Sequence, residues 1–499
     1  MVTGTSTATF APTPRRTWFG LAVLILPVLL VSMDVSVLYL AMPRLTHDIH
    51  PSGTESLWIL DIYGFLLAGL LITMGNLGDR IGRRLLLLGG AATFGAGSVM
   101  AAFSVDPTML IAARALMGVG GATLLPSSLS LISTMFPNPA ARARAIGAWT
   151  AAFAGGAAIG PVVGGVLLQH FWWGSVFLVN FPVLVVLLIA GPFLLPEHRV
   201  KTDAPFDVVG VVLSMAGILP TVYAIKHAAV DGLDLTALIA AVVGVAFLVA
   251  FVRHEKRTAH PLLDLDLLRN KGFAVAIGSS LIGMMSLAAL SYLSSIYLQS
   301  VTGRDPLDAA ILGIPMAVTV FVFSLSAARI TESIGPRTGF ITALGAAAIG
   351  NFLLLGIGVD GGVWAYVLGS AIAGIGYGIA FSLVSDVAVS SVAPERAGAA
   401  TGISETSFEL GNALGLALLG SLASLVFQRG TGPSGTRFEG TLDDVVTAFG
   451  DDAAMVHAAR ESFVGGVHAA VGVGGALLVA MAVVVAVVLP SRAGSATKD

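Results

Sequence analysis

Residues 138–165, NPAARARAIGAWTAAFAGGAAIGPVVGG, align without a gap on residues 393–420, APERAGAATGISETSFELGNALGLALLG. Pro139 falls on Pro394, and then Ala145 on Ala400, Gly147 on Gly402, Phe153 on Phe408, Gly156 on Gly411, Ala158 on Ala413, Gly160 on Gly415 and Gly165 on Gly420. The chain therefore contains one element twice. Outward from these two stretches, apolar runs of about twenty residues, the length that crosses a bilayer, occur at 18–43, 56–76, 86–104, 108–134, 144–168, 173–195, 206–226, 235–252, 272–300, 307–328, 338–357, 362–390, 398–427 and 466–489. The repeated element is the fifth and the thirteenth of these. The spacing predicts an all-α polytopic membrane protein of fourteen transmembrane helices, with six-helix halves at 18–196 and 271–489. An extra helix pair with its loops fills 197–270, and short tails lie at 1–17 and 490–499. Duplicated halves around a site at the bilayer midplane are the signature of an alternating-access transporter.

Composition agrees. The 499 residues are 56% hydrophobic and only 11% charged, with a mean hydropathy of +0.90, against about 25% charged residues in soluble domains. Sixty glycines suit close helix packing in lipid. With no cysteine there is no disulfide framework, thiolate metal site or thiol nucleophile. The first apolar run is too long for a cleavable signal. Arg15-Arg16 reads as an anchor before helix 1, although it mimics a twin-arginine export signal. With both termini cytoplasmic, 19 of the 26 Lys and Arg fall in inside loops or tails, which the positive-inside rule demands. No phosphate-binding GxxxxGK[ST] string or nucleotide-domain-sized polar segment occurs, which argues against an ATP-driven pump or enzyme. No cofactor, metal or nucleic acid is expected.

Five ionisable side chains interrupt the apolar runs: Asp34, Asp61, Arg114, Glu405 and Glu409. A charge in hydrocarbon costs at least a few kcal/mol, so such groups face a bundle interior or a water-filled path. At 1.5 Å per residue, Asp34, Asp61 and Arg114 lie roughly 8–14 Å from the outer surface and can meet. A carboxyl pulled one way by desolvation and the other by a guanidinium can load a proton on one side and release it on the other. Asp34 reads either as that proton carrier, tuned by Arg114, or as a structural partner of it. Asp61, between Trp58 and Tyr63, reads either as an outer-end polar residue or as part of an anionic, aromatic mouth for a flat lipophilic cation. Glu405 and Glu409, four apart, share one helical face and repel. At least one is neutralised by a proton or a bound cation, as expected where the two compete; the alternative is a hydrogen-bonded structural pair. All nine histidines fall in loops or at helix ends, which leaves proton transfer to carboxyls. Met33, Tyr39, Trp149, Phe153, Tyr377, Phe381 and Phe408 are candidates for an adaptable lining or for ordinary packing. Gly156, Gly160 and Gly164 form a smooth stripe with a kink at Pro161, suited to packing and sealing between the halves. The acidic outer connection 428–465 reads as a solvated loop.

Gly75-Asn-Leu-Gly-Asp79-Arg80-Ile-Gly82-Arg83-Arg84 lies between helices 2 and 3. It resembles the loop signature G-x-L-x-D-R-x-G-R-[RK] of the major facilitator superfamily. Arg114-Ala-Leu-Met-Gly118-Val-Gly120-Gly121 is similar to that superfamily's R-x-x-x-G-x-G-[GA] motif. Gly156-Ala-Ala-Ile-Gly160-Pro161-Val-Val-Gly164-Gly165 resembles its antiporter motif. Met33-Asp34-Val-Ser36 through Ala41-Met-Pro43 resembles the first-helix motif of fourteen-helix exporters, and Trp58-Ile-Leu-Asp61-Ile-Tyr63 their quaternary-ammonium and multidrug branch. The second half keeps only a degenerate loop signature, Arg329, Gly335 and Arg337, and no arginine matching Arg114. The resemblance implies a drug:proton antiporter in a bacterial inner membrane, functional as a monomer, with protons and lipophilic cations as partners. It also implies that Asp79, at the positive N-terminus of helix 13 near Gly398, latches the outward-open state. A dedicated exporter of one metabolite or antibiotic would use the same motifs.

Overall fold

The computed structural model describes residues 15–197, 207–230, 232, 234–258, 265–390, 397–433 and 435–490. The architecture is helical. The long helices are α1 (Arg15–Ile49), α2 (Gly53–Ile81), α3 (Arg83–Ala102), α4 (Pro107–Met135), α5 (Pro139–His170), α6 (Ser175–Leu194), α7 (Val208–Val230), α8 (Leu235–Glu255), α9 (Lys271–Val301), α10 (Pro306–Ile334), α11 (Pro336–Leu353), α12 (Val363–Ser390), α13 (397–429) and α14 (Ala453–Val488). Among the described residues, thirteen helices are long and apolar enough to cross a membrane. The other, α5, is a continuous helix of 32 residues. Together they occupy the fourteen positions read from the sequence.

Local chemistry sets the helix ends. Ser52 and Glu55 form a capping box at the start of α2, and Asp106 accepts the Met109 N–H where Pro107 opens α4. Asp234 caps α8 and Asn270 caps α9. Two tight reversals need a positive φ: Gly82 (φ 114°) between α2 and α3, and Gly335 (φ 82°) between α10 and α11. Two residues after each stands an arginine with the same task. Arg84 donates to the Pro192 and Leu195 carbonyls at the end of α6, and Arg337 donates to the Ala486 carbonyl near the end of α14. The degenerate loop of the second half has kept this anchor.

The halves repeat one packing plan. In the first, α1 packs on α5 and α6, and α4 on α2 and α3, with α3 also against α6. In the second, α9 packs on α13 and α14, and α12 on α10 and α11, with α11 against α14. The fifth helix of each half meets the second helix of the other, giving two seams, α5–α10 and α2–α13. The extra pair breaks this symmetry. Helix α7 lies on the α2–α13 seam, where Val222, Ile218 and Leu219 pack with Phe65, Leu410, Ala413 and Ala417, and Met215 lies over Gly69. Helix α8 packs on α7 and turns a largely exposed apolar face outward, Val242 being 61% accessible.

Candidate functional site

Arg114 is fully buried on α4, and the helices around it supply its partners. Its guanidinium is ion-paired with Asp34 of α1, donates from Nε to the Ile59 carbonyl of α2 at 3.2 Å, and sits 4.5 Å above the Tyr63 ring. Asp34 is itself 6% exposed. In a dry bundle this combination of carboxylate, carbonyl and aromatic face is what makes a buried cation tolerable.

The duplicated packing identifies the counterparts in the second half. Gly118 lies against α2 and Gly120 against α3, while Gly374 lies against α10 and Gly376 against α11, so Arg114 corresponds to Ser370. Leu29 and Met33 meet Gly156 and Gly160, while Leu281 and Met285 meet Gly411 and Gly415, so Asp34 corresponds to Ser286. Instead of an ion pair, the second half holds a closed ring of neutral hydrogen bonds. Tyr377 Oη donates to Ser286 Oγ (3.0 Å), Ser286 Oγ to Asn351 Oδ1 (3.2 Å), and Asn351 Nδ2 to Tyr377 Oη (2.8 Å).

Glu405 and Glu409 are half-buried on one face of α13, and their charges interact. Glu409 is also within electrostatic reach of Tyr39 and Tyr63, across the central space from the Asp34–Arg114 pair. An aromatic group runs from α13 into α12. Phe408 meets Phe381 edge-on at 5.2 Å, and Phe381 stacks on Tyr377 at 5.9 Å. Trp149 and Phe153 stack at 6.1 Å on α5, where the Trp149 indole donates to Ser128 Oγ (3.0 Å). The lining candidates thus form two groups, one per half. Met33 is buried against Gly160.

Asp61 is 1% exposed and close enough to Tyr39 and Tyr292 to interact with both. Tyr63 does not share its surroundings: its ring is buried beneath Arg114 and against Phe94. The mouth formed by Asp61, Trp58 and Tyr63 is therefore corrected. Residues two apart on a helix point about 200° from one another, and Tyr39 and Tyr292 are within electrostatic reach of Asp61. Trp58 is half-buried one turn before Asp61.

The glycine stripe of α5 also faces elsewhere than the sealing role required. Gly156, Gly160 and Gly164 back onto Leu29, Met33 and Val37 of α1, within their own half. Gly165 alone of this motif is shown against the other half, at Leu307 of α10. Pro161 is accommodated inside continuous α5. In the loop signature, Gly75 approaches Pro126 of α4, Arg83 is buried beside Gly78, and Arg84 holds the end of α6. Arg80 is half-buried in the last turn of α2. The side chain of Asp79 and residues 391–396 before α13 lie outside the described set, so the latch does too.

Tyr292, Asn351 and Asn412 were missed from the sequence. Asn412 follows Glu409 by three residues on the same helical face, a spacing that offered a signal; Tyr292 and Asn351 offered none.

The model of the Major Facilitator Superfamily matches residues 24–416. The chain is 42% identical to the multidrug efflux pump LfrA of Mycolicibacterium smegmatis, over 83% of this chain and 82% of that protein. It is 34% identical to the methyl viologen resistance protein SmvA of Salmonella typhimurium, over 83% of each. A solved structure of a bacterial homologue of the human lysosomal transporter Spinster, in an inward-facing and unoccupied conformation, shares the fold. Its TM-score is 0.60 at 15% identity, covering 96% of this chain and all of that one.

Proposed function

Because the chain belongs to the major facilitator superfamily, we propose that it exports lipophilic cations in exchange for protons by alternating access. One observation carries this reading: the halves hold different sets of charged groups, Asp34, Asp61 and Arg114 in the first and Glu405 and Glu409 in the second. The first half holds a carboxylate locked to an arginine, and the second holds two neighbouring carboxyls beside Phe381 and Phe408, with no arginine at the position of Arg114. A proton reaching Asp34 breaks the ion pair and loosens α1 from α4. A flat cation settles between Glu405, Glu409 and the aromatic faces, where charge and ring quadrupole both favour it. Protonation of the glutamates from the other side releases it. Methyl viologen, named for the relative SmvA, is a flat dication of the kind such a site would accept. The protein works as a monomer in a bacterial inner membrane, with both tails in the cytoplasm.

The test is ethidium efflux driven by a proton gradient in liposomes, wild type beside Asp34→Asn. Transport that the variant loses supports both the antiport and the role of Asp34. Transport in both moves coupling to Glu405 and Glu409. Absence of wild-type transport, with folded protein and a held gradient, favours one dedicated substrate.

A further inference from the structure

Among the described residues, hydrogen bonds between the halves cluster in the part of the bundle away from the tails. We propose that Tyr39, Ser295, Gln299 and Asn412 form the gate that closes the central path at that end, with Pro43 creating its acceptor. Proline has no N–H, so the residue four before it keeps a main-chain carbonyl without a helical donor. For Pro43 that residue is Tyr39. A hydroxyl from the other half supplies the missing donor: Ser295 Oγ of α9 bonds the Tyr39 carbonyl at 3.0 Å. Gln299, one turn further, donates to the Leu40 carbonyl at 3.1 Å and to Ser295 Oγ at 3.1 Å. Tyr39 itself reaches from α1 to α13, donating to Asn412 Oδ1 at 3.3 Å, and its ring lies 6.0 Å from that of Tyr292.

The register of the halves strengthens the assignment. With Leu29 matched to Leu281 and Met33 to Met285, Ser295 stands on α9 where Pro43 stands on α1. A missing helical N–H on one side thus meets the hydroxyl that answers it on the other. The cluster lies roughly 7–8 Å along α1 from Asp34, and one turn along α13 from Glu409, so it caps both charged sites. Beyond it a small cavity, lined by Pro43, Thr46, Leu57, Tyr292 and Asp443, leads to the long loop. All the bonds are neutral. They hold the end shut and can be exchanged without leaving an unpaired buried charge, as breaking Asp34–Arg114 would.

This inference rests on alternating access as read above, but its test needs neither substrate nor gradient, so the two can fail separately. The chain has no cysteine, so two cysteine pairs can be spin-labelled in the full-length protein in nanodiscs. Asp48→Cys with Arg304→Cys reports the loop end, and Leu85→Cys with Glu332→Cys reports the tail end, each across the halves. Ser295→Ala/Gln299→Leu/Asn412→Leu should lengthen the loop-end distance and shorten the tail-end one. The loop-open population should rise by about a hundredfold, since each net hydrogen bond lost shifts the equilibrium about fivefold. Pro43→Ala returns an N–H that competes for the Tyr39 carbonyl. It should raise the same population about fivefold alone, and add nothing in a Ser295→Ala background. Unchanged loop-end distances in the triple variant would overturn the gate. So would multiplying effects of Pro43→Ala and Ser295→Ala, or equal broadening at both ends, which would mark these residues as packing.

Discussion

The two halves share one backbone plan and differ in where their charges sit. On the first, Asp34 and Arg114 form an ion pair; at the same positions the second has Ser286 and Ser370, and a ring of neutral hydrogen bonds through Asn351 and Tyr377. On the second, Glu405 and Glu409 share one face of α13; the first has Thr150 and Ala154 at the matching positions of α5. On the proposed mechanism, neither half could run the exchange alone. Duplication supplied two equal scaffolds, and each kept the polar groups the other lacks.

The comparison breaks first if the ion pair is not a unit. Arg114→Ser copies the second half and leaves Asp34 buried and unpaired. It should cost about 3–5 kcal/mol, read as a large fall in the denaturation midpoint in detergent. Asp34→Ser/Arg114→Ser should recover most of that loss while gradient-driven efflux stays absent. A single variant as stable as the double would show that the pairing is incidental.

The next largest effect separates the cation site from the proton site. Glu405→Gln/Glu409→Gln should weaken ethidium binding by about tenfold to a hundredfold, because two carboxyls in a partly buried site carry much of the attraction for a cation. The fold should persist, since no arginine is left behind. Equal binding in wild type and variant would remove the second half's claim to the substrate.

A smaller effect tests the neutral ring. Tyr377→Phe removes one hydroxyl from it and should lower stability by about 1–2 kcal/mol without changing how efflux depends on the proton gradient. A change in that dependence would mean the ring is part of the coupling after all.

The smallest effect concerns the long loop, which only the second half carries. Asp443 lies at the start of its short helix Leu442–Ala448 and accepts from Thr46 of α1 at 3.1 Å. Burial pushes its carboxyl above the ordinary aspartate range, and hydrogen bonds from Ser300 and Thr46 oppose this. A raised carboxyl binds more protons docked than free, so docking is strongest below the ordinary aspartate range and weakens as pH rises through the raised value. Amide protection across residues 438–448, taken relative to the intrinsic exchange rate at each pH, should therefore fall as pH rises through that raised value, and Asp443→Asn should abolish the fall. The same pH dependence in the variant would clear Asp443.

Much of this was legible in the chain. Helix spans follow from hydropathy, and the repeat is legible in glycines that meet the same constraint in each half, Gly156 and Gly160 against α1 and Gly411 and Gly415 against α9. That Asp34 and Arg114 can meet follows from depth, although depth places Asp61 at the same level and does not choose between the two carboxyls. Direction was harder. Asp61 and Tyr63 are two residues apart and were grouped for that nearness, although helical rotation places them on nearly opposite faces. The spacing of Gly156, Gly160 and Gly164 shows that some backbone comes close, but not that it is α1 of the same half rather than the other half. Neutral groups such as Ser295 and Asn351 carry no signal until the fold gives them partners.

The covering of one seam by α7 has a consequence in the order of synthesis. Helix α2 enters the bilayer early, and the face that α13 will cover, with Phe65 and Gly69, is complete long before α13 exists. At ordinary elongation rates the wait is roughly fifteen to seventy seconds. Helix α7 emerges within that interval, already carrying the apolar side chains that fit Phe65 and Gly69. The extra pair can thus hold a half-built surface until its final neighbour arrives, and then stay beside it.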